Sequence, residues 1–235
     1  MINNAPNGHR RDIAIATPPC SRKVFTPTAA YLNMLFVDHG IFRVAYLNMH
    51  RLGRQAWRSS QPAPHHIRAL AGRGTRTVLN LRGERDCGSY LLEQAACQRY
   101  GVELVNFHMR ARRAPHPEEI KAAIALFDQM QYPMLMHCKS GADRTGLMSV
   151  LYLWLKEGVS LAEARRQQSL RFGYFRHGKA GILDLFFEHY VQDTQRQPMP
   201  FPEWVQDVYD PEKLTRAFHP KTFASRSAAR LLRWR

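Results

Sequence analysis

The stretch HCKSGADRTG, residues 137–146, combines residue types that bind and attack phosphate groups. It stands between two apolar runs and places Cys138 six residues before Arg144. A tight loop that leads into a helix directs backbone N–H groups at a bound anion, and the helix start adds partial positive charge. Arginine adds a planar fork that matches two phosphate oxygens. The spacing therefore predicts an anion-binding loop that contains a cysteine.

The same loop is expected to activate that cysteine. Thiols near arginine at a helix N-terminus ionise with pKa values of about 3.5–7.5, against about 8.5 for a free thiol. Cys138 is thus predicted to attack phosphorus and form a phosphocysteine, while Arg144 and the loop amides stabilise the shifting charge. Thr145 is expected to place its hydroxyl near the sulfur and ease its departure when water hydrolyses the intermediate. Taken singly, these residues also fit an inert cysteine, a surface arginine and capping residues, but their joint spacing favours catalysis.

The other residues of the loop are predicted to bind the phosphate group. Two glycines give the backbone freedom where a Cβ atom would obstruct the turn. The predicted phosphate-binding residues are Lys139, Ser140, Gly141, Ala142 and Gly146.

Strands and helices alternate around this loop. The apolar patterns predict strands at 41–53, 75–81, 102–109 and 133–137. Helices are predicted at 28–40, 64–74, 89–100, 117–130, 145–158, 160–170 and 181–190. This alternation indicates an α/β fold with a central, mostly parallel sheet flanked by helices. Sites in such sheets gather at the carboxyl ends of strands, and Cys138 follows one of them.

The loop resembles the signature HCxxGxxRTG of the cysteine-dependent protein tyrosine and dual-specificity phosphatases. It matches that signature at Cys138, Gly141, Arg144, Thr145 and Gly146. The resemblance covers roughly residues 40 to 190 and implies the same α/β fold, with no metal and no other cofactor. Three further stretches resemble bacterial members of the dual-specificity type, namely RSSQP (58–62), NLRGE (80–84) and HGKAGILDLFFEHY (177–190).

The sequence departs from that family at the general acid. The family usually takes an aspartate from a loop about 30 residues before the cysteine, but residues 107–119 contain none. Asp143 precedes Arg144 in the way seen in myotubularin and Sac phosphoinositide phosphatases and in bacterial loops that read HCxAGKDRTG. Repulsion from a bound dianion would hold the proton on its carboxyl group. Alternatively, Asp143 accepts hydrogen bonds that rigidify the loop.

Other titratable side chains are weaker candidates for the acid. Glu118 and Glu119 suit the first turn of a predicted helix, although a mobile loop could deliver one of them, and His116 precedes them. Asp128 falls inside that helix and is expected to face solvent.

Charge bears on the substrate. The 235 residues include 34 Lys and Arg against 19 Asp and Glu, a net charge of +15, which concentrates anions near the surface. Lys139, together with Arg110, Arg112 and Arg113 on the facing loop, is expected to favour a polyanionic or lipid headgroup, unless these are merely solvated cations.

Three classes of substrate or ligand follow from this chemistry. Phosphorylated tyrosine, serine or threonine in proteins is the first expectation, and a phosphoinositide or phospholipid headgroup is the alternative. An RNA 5′-phosphatase or a non-catalytic phosphate-binding module comes third, because the sequence lacks the basic stretch interleaved with aromatic residues that RNA-binding surfaces use.

The chain is predicted to divide into three parts: a flexible basic arm at 1–26, a phosphatase domain at 27–195, and a Pro-rich segment with a basic tail at 196–235. In the tail, Arg226, Arg230 and Arg233 share one helical face, which is typical of a segment that lies on an anionic membrane or packs on the domain. The apolar runs are too short to span a membrane. The four cysteines suit neither a disulfide framework nor a zinc site. A cytoplasmic protein, either free or peripheral at the membrane, is expected.

Overall fold

The structure of the protein is a computed structural model that describes residues 26–219. The predictions for residues 1–25 of the arm and for Arg226, Arg230 and Arg233 of the tail lie outside the described residues.

Within residues 26–219, five strands form one sheet. They are β1 (His50–Arg51), β2 (Ala56–Ser60), β3 (Thr77–Asn80), β4 (Glu103–Asn106) and β5 (Met134–Cys138), in the order β1-β2-β5-β3-β4. Only β1 is antiparallel to its neighbour. All five residues of β5 are buried, as expected for a central strand of a covered parallel sheet. The predicted mostly parallel sheet is confirmed.

Ten helices accompany the sheet in the described part of the chain. They are α1 (Pro27–Leu32), α2 (Gly40–Ala45), α3 (Pro64–Gly72), α4 (Gly88–Tyr100), α5 (Pro117–Gln129), α6 (Asp143–Leu151), α7 (Leu161–Ala164), α8 (Ile182–Arg196), α9 (Phe201–Asp207) and α10 (Pro211–Ala217). Residues 33–37 after α1 and 152–156 after α6 continue as π-helical turns.

The sheet separates two apolar layers. One layer joins α3 and α4 to β3 and β5 through residues such as Ile67, Val78, Cys97 and Leu135. The larger layer lies under α5, α6 and α8. Both layers consist mainly of buried residues, which is how an α/β domain covers the two faces of its sheet.

The segment after residue 195 contributes to the larger layer. Phe201, Trp204 and Leu214 are buried in the same cluster as the sheet residues. The Tyr209 hydroxyl donates a hydrogen bond to the Pro115 carbonyl at 2.9 Å, in the loop before α5. Residues 201–214 therefore pack on the α/β domain.

The region before β2 differs from the sequence-based expectation. The strand predicted at 41–53 is wrong over most of its length, because residues 40–45 form α2 and only His50 and Arg51 join the sheet. Buried polar contacts stabilise the helical conformation of this region: Arg43 donates hydrogen bonds to the Asp38 side chain at 2.9 Å and to the Ser89 hydroxyl at 3.1 Å. The β-forming residue types around Arg43 are overridden by these tertiary contacts.

No described helix is both long enough and apolar enough to cross a lipid bilayer.

Candidate active site

Cys138 ends β5, and the loop that follows leads directly into α6. In the sheet register Cys138 lies opposite Ser60 of β2, and His137 lies opposite Asn80 of β3. The loop therefore sits at the carboxyl edge of the sheet, between the ends of two parallel strands. This is the position at which open α/β sheets bind their ligands.

Gly141 makes the turn of this loop. Its φ is +73°, and a Cβ atom at this position would lie 2.7 Å from the backbone of Ser59 and Ser60. Both the left-handed backbone and the close approach to β2 require glycine.

Three consecutive carbonyl groups of the loop are anchored from outside. The backbone N–H of Gln61 donates to Lys139 O at 3.3 Å, Asn48 Nδ2 donates to Ser140 O at 3.0 Å, and Arg58 Nη2 donates to Gly141 O at 2.5 Å. In a trans peptide the carbonyl group and the next N–H point in opposite directions. The amides of residues 140, 141 and 142 therefore face the inner side of the loop, where they form a concavity for an anion.

The Cys138 thiol lies inside this concavity and is only 2% exposed. Burial raises its pKa, but the Arg144 charge, the Thr145 hydroxyl and the amides of Thr145 and Gly141 outweigh burial, so that the pKa is lowered from its ordinary value. Thr145 Oγ1 is itself buried and has no other hydrogen-bond partner in the part of the chain described. The arrangement favours a thiolate nucleophile.

Arg144 stands in the first turn of α6. Its Nη1 donates a hydrogen bond to the Leu81 carbonyl at 3.4 Å, which orients the guanidinium over the end of β3. Its Nε is buried and has no hydrogen-bond partner among residues 26–219. A buried donor of this kind is costly unless something accepts from it. A phosphate oxygen would fit this donor.

Arg58 is a second arginine beneath the loop, and it is fully buried. In addition to its bond to Gly141, its Nη1 donates to the backbone and side-chain oxygens of Gln167 at 2.8 and 2.9 Å. Its guanidinium also stacks 4.1 Å from the centre of the Phe172 ring. Burial lowers the pKa of Arg58 to about 10, and the negative charge of Cys138 partly opposes that effect. Arg58 thus joins the loop, β2 and the segment after α7.

Lys139 is joined to a buried carboxylate. Its Nζ lies 3.1 Å from Asp38 Oδ1, while Arg82 and Arg43 bind Asp38 at 2.8 and 2.9 Å. Burial raises the pKa of Asp38, but the hydrogen bonds from Arg82 and Ser89 and the charges of the two arginines hold it well below its usual value. Three cations share one carboxylate, so the cluster contributes net positive charge beside the loop.

A further polar chain supports the residue before the cysteine. His137 and Glu93 are both fully buried, with His137 Nε2 2.6 Å from Glu93 Oε1. Gln61 Nε2 donates a hydrogen bond to Glu93 Oε2 at 2.7 Å, and Gln61 Oε1 accepts one from Arg82. The side chains of His137 and Lys139, which flank Cys138 in the chain, are therefore joined by one series of polar contacts.

The facing loop, residues 107–116, supplies the cations that the sequence predicted. Arg110, Arg112 and Arg113 are exposed. Arg112 Nε donates a hydrogen bond at 3.0 Å to Asp143 Oδ2, whose side chain is 15% exposed. The structure thus brings Arg112 to the mouth of the loop.

The other acidic candidates are engaged elsewhere. The Glu119 carboxylate accepts the backbone amides of Arg110 at 2.8 Å and His116 at 3.3 Å, and so caps the start of α5. Glu118 is 80% exposed and pairs with Lys121. Asp128 pairs with Lys156.

Sequence reasoning missed the residues that hold the loop from outside. Asn48, Arg58 and Asp38 were not predicted to contribute. The one available signal was the stretch RSSQP, whose resemblance to bacterial phosphatases carried no known chemistry.

Together the fold and the loop define a phosphatase of the dual-specificity and tyrosine phosphatase type. The family model described as a DSP-PTPase phosphatase fused to NAD+ kinase matches residues 47–180. This match spans more than half of the chain, and the chain belongs to that family.

Several solved structures are similar in fold. TpbA of P. aeruginosa is 21% identical, with a TM-score of 0.47 over 74% of this chain and 91% of TpbA. PTPMT1 is 16% identical, with a TM-score of 0.46 over 63% of this chain and 99% of PTPMT1. Tk-PTP in its active form is 23% identical, with a TM-score of 0.43 over 52% of this chain and 82% of Tk-PTP. Among curated proteins no match is found.

Proposed function

We propose that this protein hydrolyses phosphate monoesters through a phosphocysteine on Cys138, and that its substrates are proteins phosphorylated on tyrosine, serine or threonine. The observation that carries the proposal is the anchoring of three loop carbonyls, which turns three amides toward a thiol of lowered pKa. A site that binds a phosphoryl group and activates a nucleophile in the same place is suited to phosphoryl transfer.

In the first step, the Cys138 thiolate attacks phosphorus in line with the leaving oxygen. The S–P bond forms as the P–O bond breaks, and charge shifts onto the equatorial oxygens. Arg144 and the inward amides stabilise that charge. Asp143 gives its proton to the leaving oxygen, which departs as an alcohol.

In the second step, a water molecule attacks phosphorus and the S–P bond breaks. Asp143, now a carboxylate, accepts a proton from the water, and inorganic phosphate leaves. The Thr145 hydroxyl donates a hydrogen bond to the departing sulfur, which stabilises the thiolate. The interaction of Thr145 with Cys138 supports this role.

Asp143 is the acid that its surroundings support best. It lies in the first turn of α6, directly before Arg144, and is largely buried. Its partner Arg112 is 63% exposed, so the ion pair between them can open when a substrate enters. Both oxygens of Glu119 are already engaged by backbone amides, which leaves that carboxylate a structural role.

A phosphoinositide or phospholipid headgroup is the second candidate substrate. The observation that favours it is the set of exposed cations around the loop. These are Arg110, Arg112 and Arg113, and the partly exposed Lys139 adds a fourth charge beside them. A substrate that carries a second phosphate group would interact with them, whereas a phosphotyrosine needs the loop alone.

Hydrolysis of p-nitrophenyl phosphate by the purified protein tests the reaction. We expect activity in the presence of a chelator and its loss in Cys138→Ser, which keeps the fold. The matched control is Cys97→Ser, since burial raises the pKa of Cys97 to about 12 and leaves it an inert thiol. Activity that survives in Cys138→Ser would refute the phosphocysteine. A panel of phosphopeptides, phosphoinositides and 5′-triphosphorylated RNA then ranks the substrate classes.

A further inference from the structure

Exposed apolar side chains are concentrated beside the catalytic loop. Nine of the ten large apolar side chains that are most exposed in the described part of the chain lie within residues 31–46 and 170–175. We call these nine the apolar rim; they are Tyr31, Leu32, Phe36, Val37, Ile41, Val44, Tyr46, Leu170 and Phe175. Phe36, Val37, Leu170 and Phe175 are each more than 60% exposed, at 64%, 69%, 71% and 66%. Such a concentration marks an interaction site more often than chance exposure.

The first segment of the rim contacts the loop that carries Cys138, and the second is joined to that loop through Asn48. Asp38, within the first segment, binds Lys139 at 3.1 Å. Asn48, two residues beyond the first segment, donates from the same Nδ2 atom to Ser140 O and to Phe172 O of the second segment, both at 3.0 Å. The two segments therefore both lie next to the loop, so a partner that binds the rim lies close to the active site.

The exposed charges in the two segments of the rim and in the residues next to them in the chain are positive. Between residues 26 and 51 the only acidic residue is Asp38, which is buried among cations. Residues 164–183 contain no acidic residue, and they expose Arg171 and Lys179. Apolar side chains thus stand among cations, without an exposed carboxylate in either segment. This is the composition of surfaces that bind anionic lipid.

We propose that the apolar rim docks the catalytic domain on the surface of an anionic phospholipid bilayer. The apolar side chains enter the boundary between headgroups and acyl chains, the neighbouring cations contact the lipid phosphates, and the loop with Cys138 faces the membrane. The proposal goes beyond the phosphatase reaction, because it concerns where the domain works and holds for a protein or a lipid substrate.

Charge argues against the other occupants of this surface. A second copy of the chain would bring two surfaces of a protein with net charge +15 together. The remaining parts of this chain are also basic: residues 1–25 contain four Lys and Arg against one Asp, and residues 220–235 contain five against none. An anionic partner fits the rim best.

Flotation of the full chain with vesicles tests the proposal. We expect binding to vesicles of phosphatidylcholine with phosphatidylglycerol, much weaker binding to phosphatidylcholine alone, and release at high salt. The double variant Phe36→Ser, Val37→Ser should bind at least about tenfold more weakly, because two exposed apolar side chains no longer enter the bilayer. Leu170→Ser, Phe175→Ser should act in the same direction.

The matched control is Val208→Ser, an apolar side chain that is 46% exposed at the end of α9 and outside the rim. This variant should bind vesicles like the unmodified protein. Thermal unfolding checks that all variants fold, and p-nitrophenyl phosphate hydrolysis should be equal in all of them.

Three results would overturn the proposal: no binding of the unmodified chain to anionic vesicles, equal binding by the rim variants, or a dimer in solution that the rim variants dissociate. The phosphatase reaction is judged separately, since absence of p-nitrophenyl phosphate hydrolysis would refute it while vesicle binding remained intact.

Discussion

Arg58 offers a sharp test of how the loop is held. Replacing it with methionine removes the donor from Gly141 O and from both oxygens of Gln167, and leaves the buried Gly141 carbonyl unsatisfied. An unsatisfied buried group costs about 1–3 kcal/mol. The variant also escapes the cost of burying a guanidinium, whose pKa burial lowers to about 10. We therefore expect the free energy of unfolding to fall by only about 1–2 kcal/mol.

The effect on catalysis should be larger than the effect on stability. Removal of one donor that faces a transition-state oxyanion costs about 10²–10³-fold in kcat. Releasing Gly141 O only loosens the following amide, so we expect a loss of about 10–100-fold for p-nitrophenyl phosphate. The Cys138 charge raises the pKa of Arg58, and this coupling is mutual, so the pKa of Cys138 should rise when Arg58 is removed.

Two further variants separate charge from position. Arg58→Lys keeps the positive charge but loses the planar fork, so it should keep the pKa of Cys138 close to its original value while kcat still falls. Arg171→Met removes an exposed arginine that lies 5.6 Å from the same Phe172 ring, and it should leave both quantities unchanged. The assays are steady-state kinetics and the pH dependence of Cys138 alkylation. Folded Arg58→Met with unchanged kcat and an unchanged alkylation midpoint would refute this reasoning.

Three other substitutions probe separate parts of the site. Asp38→Asn should lower the free energy of unfolding by about 3 kcal/mol at pH 7, because it leaves buried arginines without their carboxylate. The pKa of Asp38 is lower in the folded protein than in the unfolded chain, so its contribution to stability is present above about pH 4 and is lost as pH falls further. Denaturant titrations from pH 7 to pH 3 should therefore show the free energies of unfolding of the two proteins converging. A constant difference between them would contradict the assignment. Asp143→Asn should slow hydrolysis of alkyl phosphates at least about tenfold more than that of p-nitrophenyl phosphate, whose leaving group needs no proton; equal losses would make Asp143 structural. Thr145→Val should raise the pKa of Cys138 and slow turnover by about tenfold, with a phosphoenzyme that accumulates in rapid-quench experiments; a faster decay of that species would argue against Thr145.

The parts of the fold that are periodic and apolar could be predicted from the sequence. The strand at β5 and the helices α4 and α5 follow from apolar patterns with clear starts and stops, such as Pro117 at the start of α5 and Gly101 at the end of α4. The cysteine loop could be predicted as well, because its residue types and spacing act locally.

Strand β2 was not predicted from the sequence, because it is polar over most of its length. Arg58, Ser59 and Ser60 are buried, yet nothing in their residue types indicates burial. Two of them find their partners only in the folded chain: Arg58 at Gly141, and Ser60 at the Leu47 carbonyl at 2.7 Å. Polar residues can occupy an inner strand when tertiary contacts satisfy them, and such contacts cannot be seen in a sequence pattern.

The same reason hides the outer support of the site. Asp38 and Lys139 are about 100 residues apart in the chain and meet only in the folded structure, where α1 packs on α4 and α4 packs on the sheet. Asn48 likewise reaches the loop across the fold. The nucleophile and its arginine are coded within ten residues, whereas the groups that orient them are spread over the chain.

The most direct test is the ionisation of Cys138 itself. Alkylation by iodoacetamide is followed against pH, with the modified peptide quantified by mass spectrometry so that Cys87 is counted separately. We predict a midpoint well below the value of about 8.5 for a free thiol, protection by inorganic phosphate, and a midpoint that rises in Arg144→Met. A midpoint at or above that of a free thiol, unaffected by phosphate and by Arg144→Met, would contradict the claim that this pocket holds a thiolate for attack on phosphorus.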